Sequence, residues 1–145
     1  MTVLDDNAVA TGIYSKLTTG TDGVALMVLL TAIYRDEIPE GATLDYVRFF
    51  KVSEASQNTF SNKYWPLKFQ FDIYAKATRG TETAAWRAGR IKKALTTAME
   101  SNSAVLTIDG FNSVCCRFDF ASGDYSWEEG VKRIIVQYSI LVGEG

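Results

Sequence analysis

The chain has no histidine among its 145 residues. That removes the commonest general base, the commonest metal ligand and the usual activator of a serine or cysteine nucleophile. Its two cysteines, Cys115 and Cys116, are neighbours, which makes no disulfide framework and fits a reducing compartment. On a strand they point to opposite faces, poor geometry for joint metal ligation; inert packing suits Cys116, while Cys115 is left as a partly exposed thiol with no activating partner. Prolines number two and no low-complexity run occurs, so a disordered linker is not expected. Long apolar runs are missing too. The longest, "VALMVLL", is far shorter than the roughly 20 residues that span a bilayer, and "MTVLDDNAVATG" is acidic where a signal peptide is basic. The expectation is a soluble cytosolic chain. Net charge is −2 with no basic block, which disfavours tight nucleic-acid binding. "TTGTDG" lacks the lysine and preceding strand of a phosphate loop.

What is present suits one compact domain over residues 1–145. Hydrophobic residues make up 47% and charged residues 22%, the balance of a globular core with a solvated surface. Asp5, Asp6 and Asn7 are candidate caps for a first helix with Val9, Ile13 and Leu17 on one face, weakened a little by Gly12 and ended by "TTGTDG". "VALMVLLT" is read as a short helix that buries most of its sides. Pro39 and Gly41 make "IPEGAT" a bend that delivers the strand "YVRFFKV" into a sheet.

The clearest segment is "LKFQFDIYAKA". Leu67, Phe69, Phe71, Ile73, Ala75 and Ala77 alternate with Lys68, Gln70, Asp72, Tyr74 and Lys76, predicting a strand with one buried and one wet face. Pro66 belongs at the start or edge of that strand. A helix over Thr81–Glu100 follows from the apolar stripe Ala84, Ala88, Ile91, Leu95 and Ala98. "VLTIDGFNSVCCRFDF" reads as a hairpin about a type I′ turn at Asp109–Gly110, with Val114, Cys116, Phe118 and Phe120 on one face. The last strand, "RIIVQYSILV", groups Ile134, Val136, Tyr138, Ile140 and Val142, with Ile135 and Leu141 opposite, so it is central or covered on both sides. The sum is an α+β fold: a mostly antiparallel sheet against one long helix, with a helical N-terminal part.

Carboxylates are the remaining candidates for chemistry. Asp36, Glu37 and Glu40 cluster near the bend, and Asp124, Glu128 and Glu129 in "SGDYSWEEG". Such clusters can make an acid/base pair or a divalent-metal site, but two solvated polar loops is the plainer reading. Three features look like contact surface. Trp86, Arg90, Lys93 and Thr97 form a stripe opposite the apolar face of the long helix, in residue types enriched at interface hot spots; packing of Trp86 against a loop is the alternative. Tyr125 and Trp127 sit in a stretch that reads as a long loop, suited to a partner or to folding back over the sheet edge. "SEASQNTFSNK" has the length to protrude.

The order of "AVATGIYSKLT", "IYRDEIPEGATLDYVRF", "LKFQFDIYAKA", the helix "ETAAWRAGRIKKALT", "LTIDGFNSVCCRFDF" and a closing strand resembles the tail-completion or tail-terminator proteins of long-tailed bacteriophages and gene-transfer particles. The resemblance runs over nearly the whole chain, and its motifs are structural. One departure is Asp45, which stands where the family often has proline before Tyr46 and is expected to loosen the turn without changing the fold. The resemblance implies a structural virion protein, without cofactor or metal, made in the host bacterial cytoplasm. It implies a six-fold ring at the head-proximal end of the tail, contacting the major tail tube protein and the head connector, with DNA passing through unbound. Asp36, Glu37, Glu40, Trp86, Arg90, Lys93, Thr97, Tyr125 and Trp127 are the candidate contact residues. Other readings are a different neck component such as a connector stopper, a non-phage ligand-binding domain, or a carboxylate-based metal hydrolase.

Overall fold

The computed structural model of the protein describes residues 3–58, 63–76, 83–101, 104–126 and 130–144. Asp5 caps the first helix, α1 (Asp6–Thr18), accepting hydrogen bonds from the backbone N–H of Asn7 and Ala8. Val9, Ile13 and Leu17 are buried as their spacing predicts. Gly12 is buried too, because the strand β5 (Thr107–Ile108) crosses close above it.

A single residue, Thr19, separates α1 from α2 (Gly20–Val28), so "TTGTDG" both ends one helix and starts the next. Gly20, at φ 72°, permits that reversal. The expectation for "VALMVLL" is met as to helix but not as to burial. Only Gly23 and Leu26 are buried in α2, while Val24 and Val28 are 55% and 79% exposed.

The strands are β1 (Ala32–Arg35), β2 (Tyr46–Glu54), β3 (Gln57–Asn58), β4 (Lys63–Lys76), β5, β6 (Phe111–Ser126) and β7 (Val131–Glu144). They form one curled sheet in the order β1-β2-β4-β7-β6-β5, with β3 pairing β4 beyond the end of β2. All pairs are antiparallel except β1 with β2, which places Ile33 beside Val47. "SEASQNTFSNK" is thus partly strand, not only a protrusion. β7 lies centrally between β4 and β6, as its two-sided apolar pattern predicts. Pro66 lies near the start of β4 between the stretches that pair β3 and β2, where its carbonyl accepts the N–H of Ala55.

The helix α3 (Ala84–Glu100) starts on a Thr83 cap and buries all five residues of its expected stripe together with Met99. All three helices sit on one side of the sheet. α3 lies across β4, β7 and β6, while α1 packs on α2, α3 and β5. Between the layers lie Val47, Phe49, Leu67, Phe69, Phe71, Ile73, Val136, Tyr138 and Ile140, all within the one core.

The hairpin at Asp109–Gly110 has the expected two-residue loop, with Ile108 opposite Phe111. Only Gly110 takes positive φ (79°), so the turn is not type I′, which needs both central residues there. The return strand also departs from simple alternation. Its register against β7 shifts between Ser113 and Cys115 and again between Phe118 and Phe120, leaving Val114 and Asp119 as extra residues. Cys116 and Phe118 remain on the core side with Ile140 and Tyr138, whereas Phe120 is carried to the opposite face beside Gln137 and is exposed. Cys115 is exposed and Cys116 buried, on opposite faces as expected; burial pushes the Cys116 thiol up to about 12.

Candidate assembly surfaces

Three surfaces carry the side chains that the core does not use. The first is the outer ends of α2 and α3. Trp86 is 59% exposed, and Arg90, Lys93 and Thr97 continue an exposed stripe along α3. Val28 of α2 meets this stripe across a shallow cleft that includes Leu29, Arg87, Arg90 and Ile91. Val24 and Val28 of α2 and Trp86 of α3 are three large apolar side chains left exposed on these two helices. Trp86 therefore belongs to the surface, not to the core.

The second is the β1–β2 bend. The Asp36 N–H donates to the carbonyl of Phe49 (2.9 Å), Glu37 N–H to Arg35 (2.8 Å), and Ala42 N–H to Pro39 (3.2 Å). Asp36 (φ 62°) and Gly41 (φ 78°) take left-handed backbone, a conformation that glycine and, among others, aspartate tolerate. Asp36, Glu37, Pro39 and Glu40 are exposed at its tip. At its base Asp45 is 3% exposed and strongly held: it accepts from Arg87 Nε (2.9 Å) and Nη2 (2.5 Å) and from the N–H of Lys76 (3.0 Å). Its carbonyl accepts from Thr31 N–H, and the Leu44–Asp45 peptide bond is cis. The carboxylate thus ties the bend to α3 and β4 at once.

The third surface is the sheet face turned away from the helices. Asp72 lies on it, yet is fully buried. Arg48 Nη2 (2.5 Å) and Arg133 Nη2 (3.2 Å) bind one of its oxygens and Gln70 Nε2 (2.8 Å) the other. Tyr46 and Tyr74 pack beside it with their rings tilted at 42°, with Arg48 over Phe50 and Arg133 over Tyr74. The Nε atoms of both arginines are buried without a hydrogen-bond partner among the described residues. A second node centres on Asp119, which accepts from Ser139 Oγ (2.6 Å) and Lys68 Nζ (3.2 Å), with Arg117 Nε at 3.8 Å. Burial raises the Asp119 pKa, but hydrogen bonds from Ser139, Lys68 and Gln137 outweigh it and hold the carboxyl below its ordinary value. Each node sets two cations around one carboxylate. Period-two patterning reads Asp72 as wet; its burial comes from arginines on two other strands, a signal absent from local sequence.

Of the two carboxylate clusters, Asp36 and Asp124 stand apart. Asp36 follows β1 at one edge of the sheet. Asp124 pairs with Arg133 in the β6–β7 ladder, four strand spacings or about 19 Å away. Asp124 is a strand residue, because β6 runs to Ser126 and β7 begins at Val131, so the connection is shorter than the sequence suggests. Trp127, Glu128 and Glu129 lie outside the described residues, as does the side chain of Tyr125. Among the described residues no group of three or more Cys, Asp or Glu side chains stands ready to hold a metal ion. No described helix is long and apolar enough to cross a membrane.

The fold is thus a curled sheet backed by three helices. Residues 13–143 match the family model described as tail completion protein gp17, which defines the class as a structural protein of the phage tail. The chain belongs to the tail completion protein gp17 family. The fold is shared with a protein in the virion of a native gene transfer agent particle, at TM-score 0.73 and 17% identity, covering 94% of this chain and 96% of that one. No curated protein matches the sequence.

Proposed function

We propose that the chain is a non-catalytic tail terminator, one domain per copy. Copies assemble as a ring, six-fold by the resemblance, that caps the head-proximal end of the tail tube, ends tube polymerisation and joins the tail to the head connector. The observation that carries this reading is the match to the tail completion family, with exposed Val24, Val28, Trp86 and Arg90 on α2 and α3 as the side chains offered for contact. An aromatic and an arginine beside exposed valines suit burial by a neighbouring subunit or the tube protein. A net charge of −2 supports passage of DNA through such a ring without adhesion, since binding needs a concentrated positive face.

Particles assembled without this protein decide the matter under negative stain. Overlong tails are the expected outcome. Filled heads without tails, leaking DNA, identify a connector stopper instead and overturn the terminator reading.

A further inference from the structure

The outer sheet face carries a groove of about 410 Å³ that neither the core nor the α2–α3 surface accounts for. Its floor is a row across three strands, Pro66 of β4, Leu141 of β7 and Cys115 of β6, which the ladder places side by side. Two residues further along β4 and β6, in the next row on the same face, Lys68 and Arg117 flank Ser139. The groove is therefore apolar along one row and cationic along the next. Both cations share the single carboxylate of Asp119, and Arg117, 77% exposed and 3.8 Å away, is only weakly held by it. The register places five cations on this face, Arg48, Lys68, Lys76, Arg117 and Arg133, against three carboxylates, Asp72, Asp119 and Asp124.

The β1–β2 bend has the opposite character. Ile38 and Pro39 lie between Glu37 and Glu40, and neither glutamate has an ion-pair partner among the described residues. Lys68 and Arg117 stand two strand spacings apart, about 10 Å. Glu37 and Glu40, three residues apart, span up to about 10 Å. The bend is preorganised by its own backbone hydrogen bonds, so little ordering opposes docking. The groove reaches β2 only at Ser53, opposite Lys68, whereas the bend is tied to Phe49, four residues back along β2 and on its far side, so it meets the groove of another molecule and not its own.

We infer that the bend Asp36–Glu40 of one copy docks into the Pro66–Leu141–Cys115 groove of the next, its glutamates on Lys68 and Arg117 and its Ile38–Pro39 on the apolar row. This rests on the ring reading and names the contact that builds it. The contact is heterologous, one patch meeting a different patch, which closes into a ring when the rotation per copy divides a full turn. It also turns the cationic sheet face toward neighbouring protein. Nucleic acid suits the groove less well, since phosphates gain nothing from the apolar row.

The test is the mass of the full chain by analytical ultracentrifugation at low and high salt, for wild type, for Glu37→Arg with Glu40→Arg, for Lys68→Glu with Arg117→Glu, and for all four together. Thermal unfolding checks the fold of each. The expected result is an oligomer for wild type that weakens with salt. Each double variant assembles at least about ten-fold more weakly, and the four-fold variant, its charges exchanged, recovers. If Lys68→Glu unfolds the chain through repulsion from Asp119, Arg117→Glu alone is read in its place. Double variants with the wild-type mass, or a four-fold variant that does not recover, overturn the inference and leave the ring standing. A wild type that stays monomeric even with tail-tube protein overturns both. Duplex DNA retarded by wild type but not by the Lys68→Glu/Arg117→Glu variant, at unchanged oligomeric mass, assigns the groove to nucleic acid and overturns the docking.

Discussion

Gly12 of α1 and Thr107 of β5 approach so closely that a Cβ on Gly12 would stand 2.6 Å from the Thr107 carbonyl oxygen. Helix propensity alone favours alanine there by about 1 kcal/mol. The obstacle is backbone and cannot swing aside, so overpacking prevails. Gly12→Ala is expected to destabilise the fold by about 1–3 kcal/mol in chemical denaturation. A stabilised variant would show that β5 yields.

Tyr138 lies between Phe71 and Phe118, edge-on to both, with its hydroxyl buried and unpartnered among the described residues. Removing an orphaned hydroxyl relieves a desolvation penalty without opening a large cavity. Tyr138→Phe should be neutral or stabilising by about 1 kcal/mol in thermal unfolding. A clear loss of stability would reveal a partner for that oxygen.

Asp72→Asn leaves Arg48 and Arg133 facing each other without their shared counter-charge. Fully buried pairs lose about 3–5 kcal/mol when one partner is removed; because both arginines are about a third open to solvent, about 1–3 kcal/mol is expected. Adding Arg133→Gln should restore part of that loss, which a double-mutant cycle measures.

The combined change Trp86→Ala and Arg90→Ala should weaken association with neighbouring subunits or tube protein while shifting stability by under about 1 kcal/mol. Sedimentation reads the first effect and thermal melting the second. Collapse of the melting transition would instead make Trp86 part of the fold.

The depressed pKa of Asp119 gives an acid limb to stability. Its contribution is complete above the unfolded value near 3.8 and is lost as pH falls through the lower folded value. Denaturation midpoints followed downward from pH 5 should fall less steeply in Asp119→Asn than in wild type. Ser139→Ala, which removes the shortest of its hydrogen bonds, should move the Asp119 titration upward, as carboxyl NMR detects.

Periodicity made much of the fold legible: Leu67 to Ala75 in β4, the Ala84–Ala98 stripe of α3, and the buried set Val136 to Val142 of β7 all lie where their spacing puts them. Local pattern failed where distant strands decide. Asp72 is buried by arginines that lie 24 and 61 residues away in the chain. Phe120 changes face because the bulge at Asp119 adds a residue, which alternation cannot announce. Polar "SGD" looks like loop, yet Ser122, Gly123 and Asp124 continue the ladder with β7. Of the contact candidates, Trp86 was readable as surface from its place opposite the apolar stripe. Lys68 and Arg117 were not, since only the ladder brings them to one groove.

The two bulges have a consequence beyond the faces they reassign. β6 is covered on its outer side by β5 only at Phe111 and Asn112, so among the described residues most of its length is an open edge. An extended strand laid against that edge loses step at the bulges, and the kinks twist the edge away from straight pairing. The edge therefore resists templating fibrils and pairing with a further strand.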